Sequence, residues 1–412
     1  MTKGKNSTYG LLLHVGERLL ETRSGDFRAH VFQNLCTRTY TLAVCQGDLQ
    51  TPEPLLVRIH SACITSEAFG GCDCDCAEQL ELALERIAEA GRGAVFYLMQ
   101  EGRGAGYAAK ARDRMLVQAS CDTVSTFEAY RMLGLEPDSR RYHEVALALG
   151  LLKVRAPVRL LTNNPEKTRA LKTLGIEVEA AERIQREANP FNVHYLSSKR
   201  REGHALASGL LAKRAVELPE PVLSFEPAPL KAAPYLIRMA SYLLPIRVSA
   251  EASRAWFRAH VYFDLLASCE RVVLTYGPLA EDSLRVPLVR IQRESLFERF
   301  PVRNGVHKSQ WKWAVAEMVQ HGHGIALFPS ADGDDAVLAA SALGAQSPGG
   351  RLAEARVTDE ALLMLLEHHA PGKAVMPLFT HLDDDGARRT TVDAFKRHGF
   401  LLTEPMLFKS AS

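Results

Sequence analysis

Three short segments of this 412-residue chain recur in its second half, in order and in one register. Phe27-Arg28-Ala29-His30-Val31-Phe32 returns as Phe257-Arg258-Ala259-His260-Val261-Tyr262. Pro54-Leu55-Leu56-Val57-Arg58-Ile59 returns as Val286-Pro287-Leu288-Val289-Arg290-Ile291. Gly91-Arg92-Gly93-Ala94-Val95-Phe96 returns as Gly322-His323-Gly324-Ile325-Ala326-Leu327. The offsets are 230, 232 and 231. One such match is weak evidence, but three in order point to an internal duplication. A repeat this long means two folded domains, since solenoid repeats run to only about 20–50 residues. Between the copies, Leu218-Pro219-Glu220-Pro221 through Pro227-Ala228-Pro229 to Pro234 reads as a stiff, extended linker. The expected division is therefore a first domain over residues 1–215, a linker over 216–235 and a second domain over 236–412.

Each copy reads as α/β, of the mixed α+β kind. Leu55-Leu56-Val57-Arg58-Ile59 is strand-like. Leu80, Ala83, Leu84 and Ile87 fall at helical spacing, and Gly91 stops that helix. Ala94 to Met99 reads as a buried strand, and Val158 to Leu161 as another. Pro165 opens a helix at its first position and Gly175 closes it.

Apolar content of 47% and charged content of 24% are ordinary for a globular chain. No run of about 18 apolar residues is present, so no membrane partner is expected. The basic Met1–Asn6 stretch has no signal-type apolar core behind it. A net charge of +2 gives no reason to expect a nucleic-acid partner. Eight cysteines, half of them clustered, suit a reducing cytoplasm and a metal site better than a disulfide scaffold. Cys36, Cys45, Cys121 and Cys269 are scattered and read as core thiols.

The cluster is Cys63, Cys72, Cys74 and Cys76. Cys74-Asp75-Cys76 is too tight for an internal disulfide but suits two thiolates on one metal ion. Cys63 can loop back as a third ligand. Three thiolates on Zn²⁺ leave a coordination position for water, the catalytic arrangement. Buried thiols, or a closed structural site with Cys72 as fourth ligand, fit the same spacing. Three further groups fall on loops at element ends, where sites concentrate. Gln100-Glu101-Gly102-Arg103-Gly104-Ala105-Gly106 permits close backbone approach, and Arg103 can fork onto a phosphate. Thr162-Asn163-Asn164-Pro165-Glu166-Lys167 combines a hydroxyl, amides, a helix N-terminus and a lysine, which suits an anion. Asp138-Ser139-Arg140 pairs a carboxylate with a guanidinium, and a capped helix start is the plain alternative.

Together these motifs resemble the GTP cyclohydrolase II family from about Gly25 to His204. Arg58-Ile59-His60-Ser61-Ala62-Cys63, Cys74-Asp75-Cys76, Gln79-Leu80, Asp122-Thr123-Val124 and Arg159 to Pro165 carry the resemblance along with the groups above. It implies Zn²⁺ on Cys63, Cys74 and Cys76, and a metal-bound water of lowered pKa that attacks the imidazole ring of guanine. Ring opening, loss of formate and release of pyrophosphate would follow. Arg140 matches the family's proposed nucleophile toward the α-phosphate and Asp138 its proposed base. An arginine with a pKa above about 12 is an odd nucleophile, and charge stabilisation serves equally well. Arg58, Gln79, Glu101, Gly102, Arg103, Thr123, Thr162 and Lys167 match the nucleotide contacts. Mg²⁺ on the phosphates is implied by the family alone. The implied partner is GTP or a related small-molecule nucleotide, and the implied assembly is a monomeric pseudo-dimer or a homodimer.

Four departures stand out. Arg114 occupies the family's catalytic tyrosine position, Ala62 the glutamate before the first cysteine, and Asp73 the arginine before Cys-Asp-Cys. Val124–Gly134 is about three residues longer than the family's form. In the second copy Cys63, Cys74 and Cys76 align with Ser295, Gly305 and His307, and Glu101-Gly102-Arg103 with Asp332-Gly333-Asp334. The expectation is one zinc-dependent hydrolase domain, possessing a ring-opening activity that stops before formate loss, and one degenerate copy without a zinc site. The alternatives are a family member repurposed for specialised or pyrimidine metabolism, and a non-catalytic nucleotide-binding regulator.

Overall fold

A computed structural model describes residues 11–207, 215–248, 253–278, 285–329, 360–380, 383 and 385–407. The first copy contributes strands β1 (Leu12–Thr22), β2 (Gly25–Asn34), β3 (Tyr40–Gln46), β4 (Leu55–Ser61), β5 (Gly93–Leu98), β6 (Val158–Leu161) and β7 (Val178–Glu182). Their order in the sheet is β1-β2-β3-β5-β4-β6-β7. β1, β2, β3 and β5 pair antiparallel, while β5, β4, β6 and β7 pair parallel.

The linker region supplies β8 (Ala228–Pro229). The second copy supplies β9 (Leu236–Arg247), β10 (Arg254–Asp264), β11 (Cys269–Tyr276), β12 (Leu288–Ile291), β13 (Gly324–Phe328), β14 (Ala374–Phe379), β15 (Leu401–Leu402) and β16 (Met406–Leu407). Beyond β8, its sheet runs β9-β10-β11-β13-β12-β14-β15, the path of the first sheet strand for strand. β12 pairs parallel with β13 and β14, just as β4 does with β5 and β6. The fold is mixed α/β, one domain duplicated in tandem, as the three sequence repeats implied.

The two helices read from sequence, at residues 80–87 and from Pro165, form where their signals lie, among the helices of the described residues. In the first copy they are α1 (Ile64–Glu67), α2 (Cys76–Ala90), α3 (Tyr107–Ala119), α4 (Thr126–Met132), α5 (His143–Leu151), α6 (Pro165–Thr173) and α7 (Val193–Arg201). In the second they are α8 (Val306–His321), α9 (Glu360–His369) and α10 (Asp385–Arg397). Gly91 ends α2 in the left-handed conformation at φ 68°, which glycine adopts without a Cβ clash. On α2, Leu80, Ala83, Leu84 and Ile87 are buried against the sheet with Phe27, Leu42 and Val95. Each large side chain so removed from water contributes about 1.5–3 kcal/mol.

The two copies share cores. Ile64, Phe69, Tyr107, Ala111 and Met115 cluster with Tyr242, Leu244, Phe257, Trp311 and Phe328 of the second copy. Polar contacts fix the register of this seam. The Tyr107 and Tyr242 hydroxyls are 2.9 Å apart, Trp311 Nε1 donates to the Phe69 carbonyl at 2.9 Å, and Cys72 N donates to the Pro245 carbonyl at 2.9 Å.

The proline-rich segment packs on the protein: Val222 is buried, and Arg112 donates to the Phe225 carbonyl at 3.2 Å. One expectation needs correction. Of the scattered cysteines only Cys45 is fully buried; Cys36 and Cys121 are exposed and Cys269 is intermediate. Among the described residues no disulfide forms.

Candidate active site

The site grows from the carboxyl ends of β4, β5 and β6, where ligands bind in open α/β sheets. β4 is a central strand covered on both faces, a setting that favours apolar residues. Arg58 and His60 break that pattern and are buried, so each needs partners. Arg58 Nη1 donates to the Leu161 carbonyl at 2.9 Å and Nη2 to Gln79 Oε1 at 2.5 Å. His60 Nε2 lies 2.7 Å from Glu67 Oε1, whose other oxygen accepts from Cys63 N at 3.2 Å and from the Tyr97 hydroxyl at 2.5 Å. A buried carboxylate thus braces the backbone of the first cysteine.

The ligand atoms of Cys63, Cys74 and Cys76 all lie within 4.8 Å of one another, and Cys63 Sγ is 3.6 Å from Cys74 Sγ. Thiolates arranged tetrahedrally about Zn²⁺ at about 2.3 Å would stand about 3.8 Å apart, so the residues fit such an ion. Lys110 Nζ donates to Cys63 Sγ at 3.1 Å, Thr65 Oγ1 at 2.9 Å and Glu101 Oε1 at 2.8 Å. Hydrogen bonds from the Cys74 and Cys76 thiols, helped by Lys110, hold Cys63 well below the usual thiol range. Cys72 stands outside the trio. Its Sγ faces the Gly70 carbonyl at 3.6 Å, and burial pushes its thiol up.

An open cleft of about 940 Å³ joins this trio to the loops singled out in the sequence. Arg58, Cys63, Cys76, Gln79, Glu101, Gly102, Arg103, Asp138, Arg140, Thr162 and Lys167 all line it. Seven cationic side chains line the cleft against three carboxylates, a field suited to a polyanion. Burial, together with Arg58 and Arg140, drives Lys167 well below the ordinary lysine range, and its Nζ donates to the Ile59 carbonyl at 2.8 Å. Burial also lowers Arg58 to about 10 and raises Glu101 to about 7, even though Lys110 stabilises the glutamate anion.

Asp138 does not cap a helix. Arg140 donates Nε to Asp138 Oδ1 at 2.8 Å and Nη2 to Oδ2 at 2.5 Å. Burial opposes both charges, but the bidentate pair outweighs it, so Asp138 sits below the carboxylate range and Arg140 above the arginine range. The glycine loop makes this placement possible. A Cβ on Gly104, whose φ is 89°, would lie 3.0 Å from the Ser139 backbone carbon.

Thr123 is the one expected contact that the structure does not bring to the cleft. It is exposed, and its hydroxyl donates to the Ser120 carbonyl at 2.8 Å. The long 124–134 segment explains this. It folds as α4, opened by a capping box of Ser125 and Glu128. That helix sends Thr126 into the cleft instead, with its hydroxyl 2.5 Å from Asp113 Oδ1. Phe127 lies under the Arg103 guanidinium at 3.6 Å, and the Tyr130 hydroxyl donates to the Gly102 carbonyl at 2.9 Å.

The sequence profile of GTP cyclohydrolase II matches residues 14–185. GTP cyclohydrolase-2 of Acinetobacter baumannii strain AB0057 is 43% identical over 183 residues, 44% of this chain and 89% of that one. The chain belongs to the GTP cyclohydrolase II family. GTP cyclohydrolase-2 of Teredinibacter turnerae is likewise 43% identical, over 47% of this chain and 96% of its own. The riboflavin biosynthesis protein RibBA of Cytophaga hutchinsonii is 39% identical over 188 residues, which are 45% of this chain and 45% of that relative.

Sequence reading missed Lys110, Thr126, Tyr195, Lys199 and His204, which line the cleft beside Arg114, the family departure it did single out. The polar run at Lys199–His204 reads as the end of a domain, and only the fold turns it inward. There Lys199 Nζ donates to Asp75 Oδ1 at 2.8 Å, and Asp75 Oδ2 accepts from Gln79 Nε2 at 2.5 Å. Arg114 Nε lies 3.0 Å from Asp73 Oδ2, so two of the family departures form one ion pair.

The second copy keeps counterparts of some cleft residues but not of the trio. Among the described residues, no group of three ligating side chains occurs there. Arg290 donates to the Leu378 carbonyl at 3.3 Å, as Arg58 does to Leu161, but its Nη1 also meets Asp383 Oδ2 at 2.5 Å. Thr380 N donates to the same oxygen at 2.6 Å, so Arg290 is paired with a carboxylate of its own copy. Asp332-Gly333-Asp334 lies outside the described residues.

Proposed function

We propose that the first copy, within residues 1–215, is a zinc-dependent hydrolase of the GTP cyclohydrolase II type, acting in the cytoplasm on GTP or a related purine nucleotide. We assign the 236–412 domain, beyond a 216–235 linker, to packing rather than catalysis. The observation that carries the reading is the cysteine trio opening onto a cleft with an excess of cations. Zn²⁺ bound by Cys63, Cys74 and Cys76 would supply a Lewis acid and a water of lowered pKa.

The chain's own residues do the rest. In this reading Arg58, Gln79, Arg103, Thr162 and Lys167 contact the nucleotide, and Arg140 faces its phosphates. Burial first, and then Arg58 and Arg140, disfavour the charged form of Lys167, and an incoming phosphate would favour it. Glu101, held near 7, can exchange a proton at working pH. Asp138 keeps Arg140 charged. That favours Arg140 as a stabiliser of phosphate charge over its use as a nucleophile, which would need the neutral form. Mg²⁺ accompanies the nucleotide phosphates in this reading.

Arg114 cannot exchange a proton near neutral pH. With GTP the expected outcome is therefore ring opening with little or no formate. Mass spectrometry of the products and a formate assay test this. Formate released in step with GTP consumption would refute the arrested reaction. The Asp73–Arg114 replacement also favours a second reading, a family member repurposed for another nucleotide in specialised or pyrimidine metabolism. In that case GTP is left intact and another member of a nucleotide panel is consumed.

A further inference from the structure

We propose that Tyr195 on α7 is the phenol that meets the bound substrate in the cleft as a hydrogen-bond donor, and that Asp73 and Arg114 are positioning residues for its ring. The proposal deepens the nucleotide-hydrolase reading and rests on it.

The first argument is elimination. Tyr130 and Tyr195 are the tyrosines that line the cleft, and the Tyr130 hydroxyl is committed to the Gly102 carbonyl. Tyr107, on the same helix as Arg114, has its hydroxyl on Tyr242 at 2.9 Å and is fully buried. The Tyr195 ring instead takes two cations, and among the described residues no protein group is bonded to its hydroxyl.

The second argument is the clamp. Arg114 Cζ lies 4.7 Å and Lys199 Nζ 4.3 Å from the centre of the Tyr195 ring. Each cation is anchored in turn, Arg114 by Asp73 at 3.0 Å and Lys199 by Asp75 at 2.8 Å. Asp73 and Asp75 flank Cys74 in sequence. The loop that carries the metal ligand therefore also sets the two cations holding the ring, and the phenol keeps its register to the cysteine trio. Cations on an aromatic face draw electron density from the ring, which strengthens its O–H as a donor. Burial keeps the phenol protonated at neutral pH. A fixed donor aimed at developing charge in a site of this kind typically carries about 10²–10³ in rate.

The third argument is location. Tyr195 and Arg114 also line a second cavity, on the side where Pro245 and Trp256 of the second copy close the wall. Tyr195 and Arg114 therefore stand where the substrate cleft meets the seam between the copies.

The test uses full-length, metal-loaded protein carrying 3-fluorotyrosine, with the Tyr195 resonance assigned by its loss in Tyr195→Phe. GTP should shift that resonance and leave those of Tyr107 and Tyr130 in place. Tyr195→Phe should lower kcat for GTP by about 10²-fold or more while KM changes less than about threefold. Arg114→Met should lower kcat in the same sense and broaden or move the Tyr195 resonance. A Tyr195→Phe protein with unchanged kcat, or a Tyr195 resonance indifferent to bound GTP, overturns the proposal. If GTP neither binds nor reacts, GTP falls as the substrate while the reading of another nucleotide stands, and replacing the metal with Co²⁺ then judges Tyr195 alone. Displacement of its resonance by Co²⁺ upholds the phenol's place at the trio, and indifference to Co²⁺ overturns it.

Discussion

Replacing Asp73 with Asn removes the negative half of a pair that the fold has almost closed off from water. The side chains of Arg114 and Asp73 are 9% and 12% exposed, with Nε 3.0 Å from Oδ2. The contact is ionic more than a well-aimed hydrogen bond, because Arg114 Nε and Asp73 Oδ1 are both buried without an aligned partner. Breaking a buried pair typically costs about 3–5 kcal/mol. Two features put this pair at or below the low end of that range. The N–H is poorly aimed, and the Asp113 carboxylate also stabilises the guanidinium. The expected cost is about 2–3 kcal/mol for Asp73→Asn and a similar amount for Arg114→Met. The double variant leaves neither charge stranded, so it should cost less than the sum by at least about 1.5 kcal/mol. Urea unfolding of the metal-loaded chain, followed by the fluorescence of Trp256, Trp311 and Trp313, measures all three variants. These tryptophans lie in the second copy, and Trp311 belongs to the shared core, so they report on the assembled molecule. Losses that add within about 0.5 kcal/mol would mean that the two charges do not depend on each other, and the clamp argument would fail with them.

Two further outcomes follow from the site. Metal analysis should find about one zinc per chain, abolished by Cys74→Ser and kept by Cys72→Ser, because Cys72 faces a carbonyl outside the trio; loss of metal in Cys72→Ser would reinstate a four-cysteine site. His204 is lowered to about 3 by burial and by Lys199, Arg103, Arg140 and Lys167, so between that value and its ordinary 6.5 the unfolded chain binds one proton more than the folded one. Stability from this group is therefore present above about pH 6.5 and lost as pH falls toward 3. His204→Asn should flatten the acid limb of urea midpoint against pH by up to about 1.4 kcal/mol per unit, and an unchanged limb would contradict the assignment.

The fold was legible where a local rule decides it. The register of the three repeats announced the two matching sheet paths, and glycine and proline punctuation marked α2 and α6 correctly. The cysteine trio was legible as a possible metal site because its residues lie within fourteen positions and their chemistry is specific. The inward face of α7 was not. Val193–Arg201 is short and mostly polar, and as a sequence it resembles a solvated helix; only packing against the cysteine loop gives Lys199 and Tyr195 their partners. The 124–134 segment misled for a related reason. Its extra length could be counted, but a capping box that starts a helix at Thr126 takes Thr123 out of the cleft and puts Thr126 in its place.

The ion pair of Asp73 and Arg114 marks the limit of reading the chain in one dimension. In the sequence these are two unrelated departures from a family pattern, 41 positions apart. Each alone looks like damage: an arginine lost beside the metal loop, and a tyrosine lost from a helix. In the folded chain the second change supplies the cation that the first change needs. Buried charge is costly without a partner, so each substitution costs less in the presence of the other. A chain drifting toward silence has no need to keep such a match, and it also keeps three sulfurs in zinc geometry with an open cleft beside them. The coupled replacement therefore argues for a site altered as a unit rather than one left to decay.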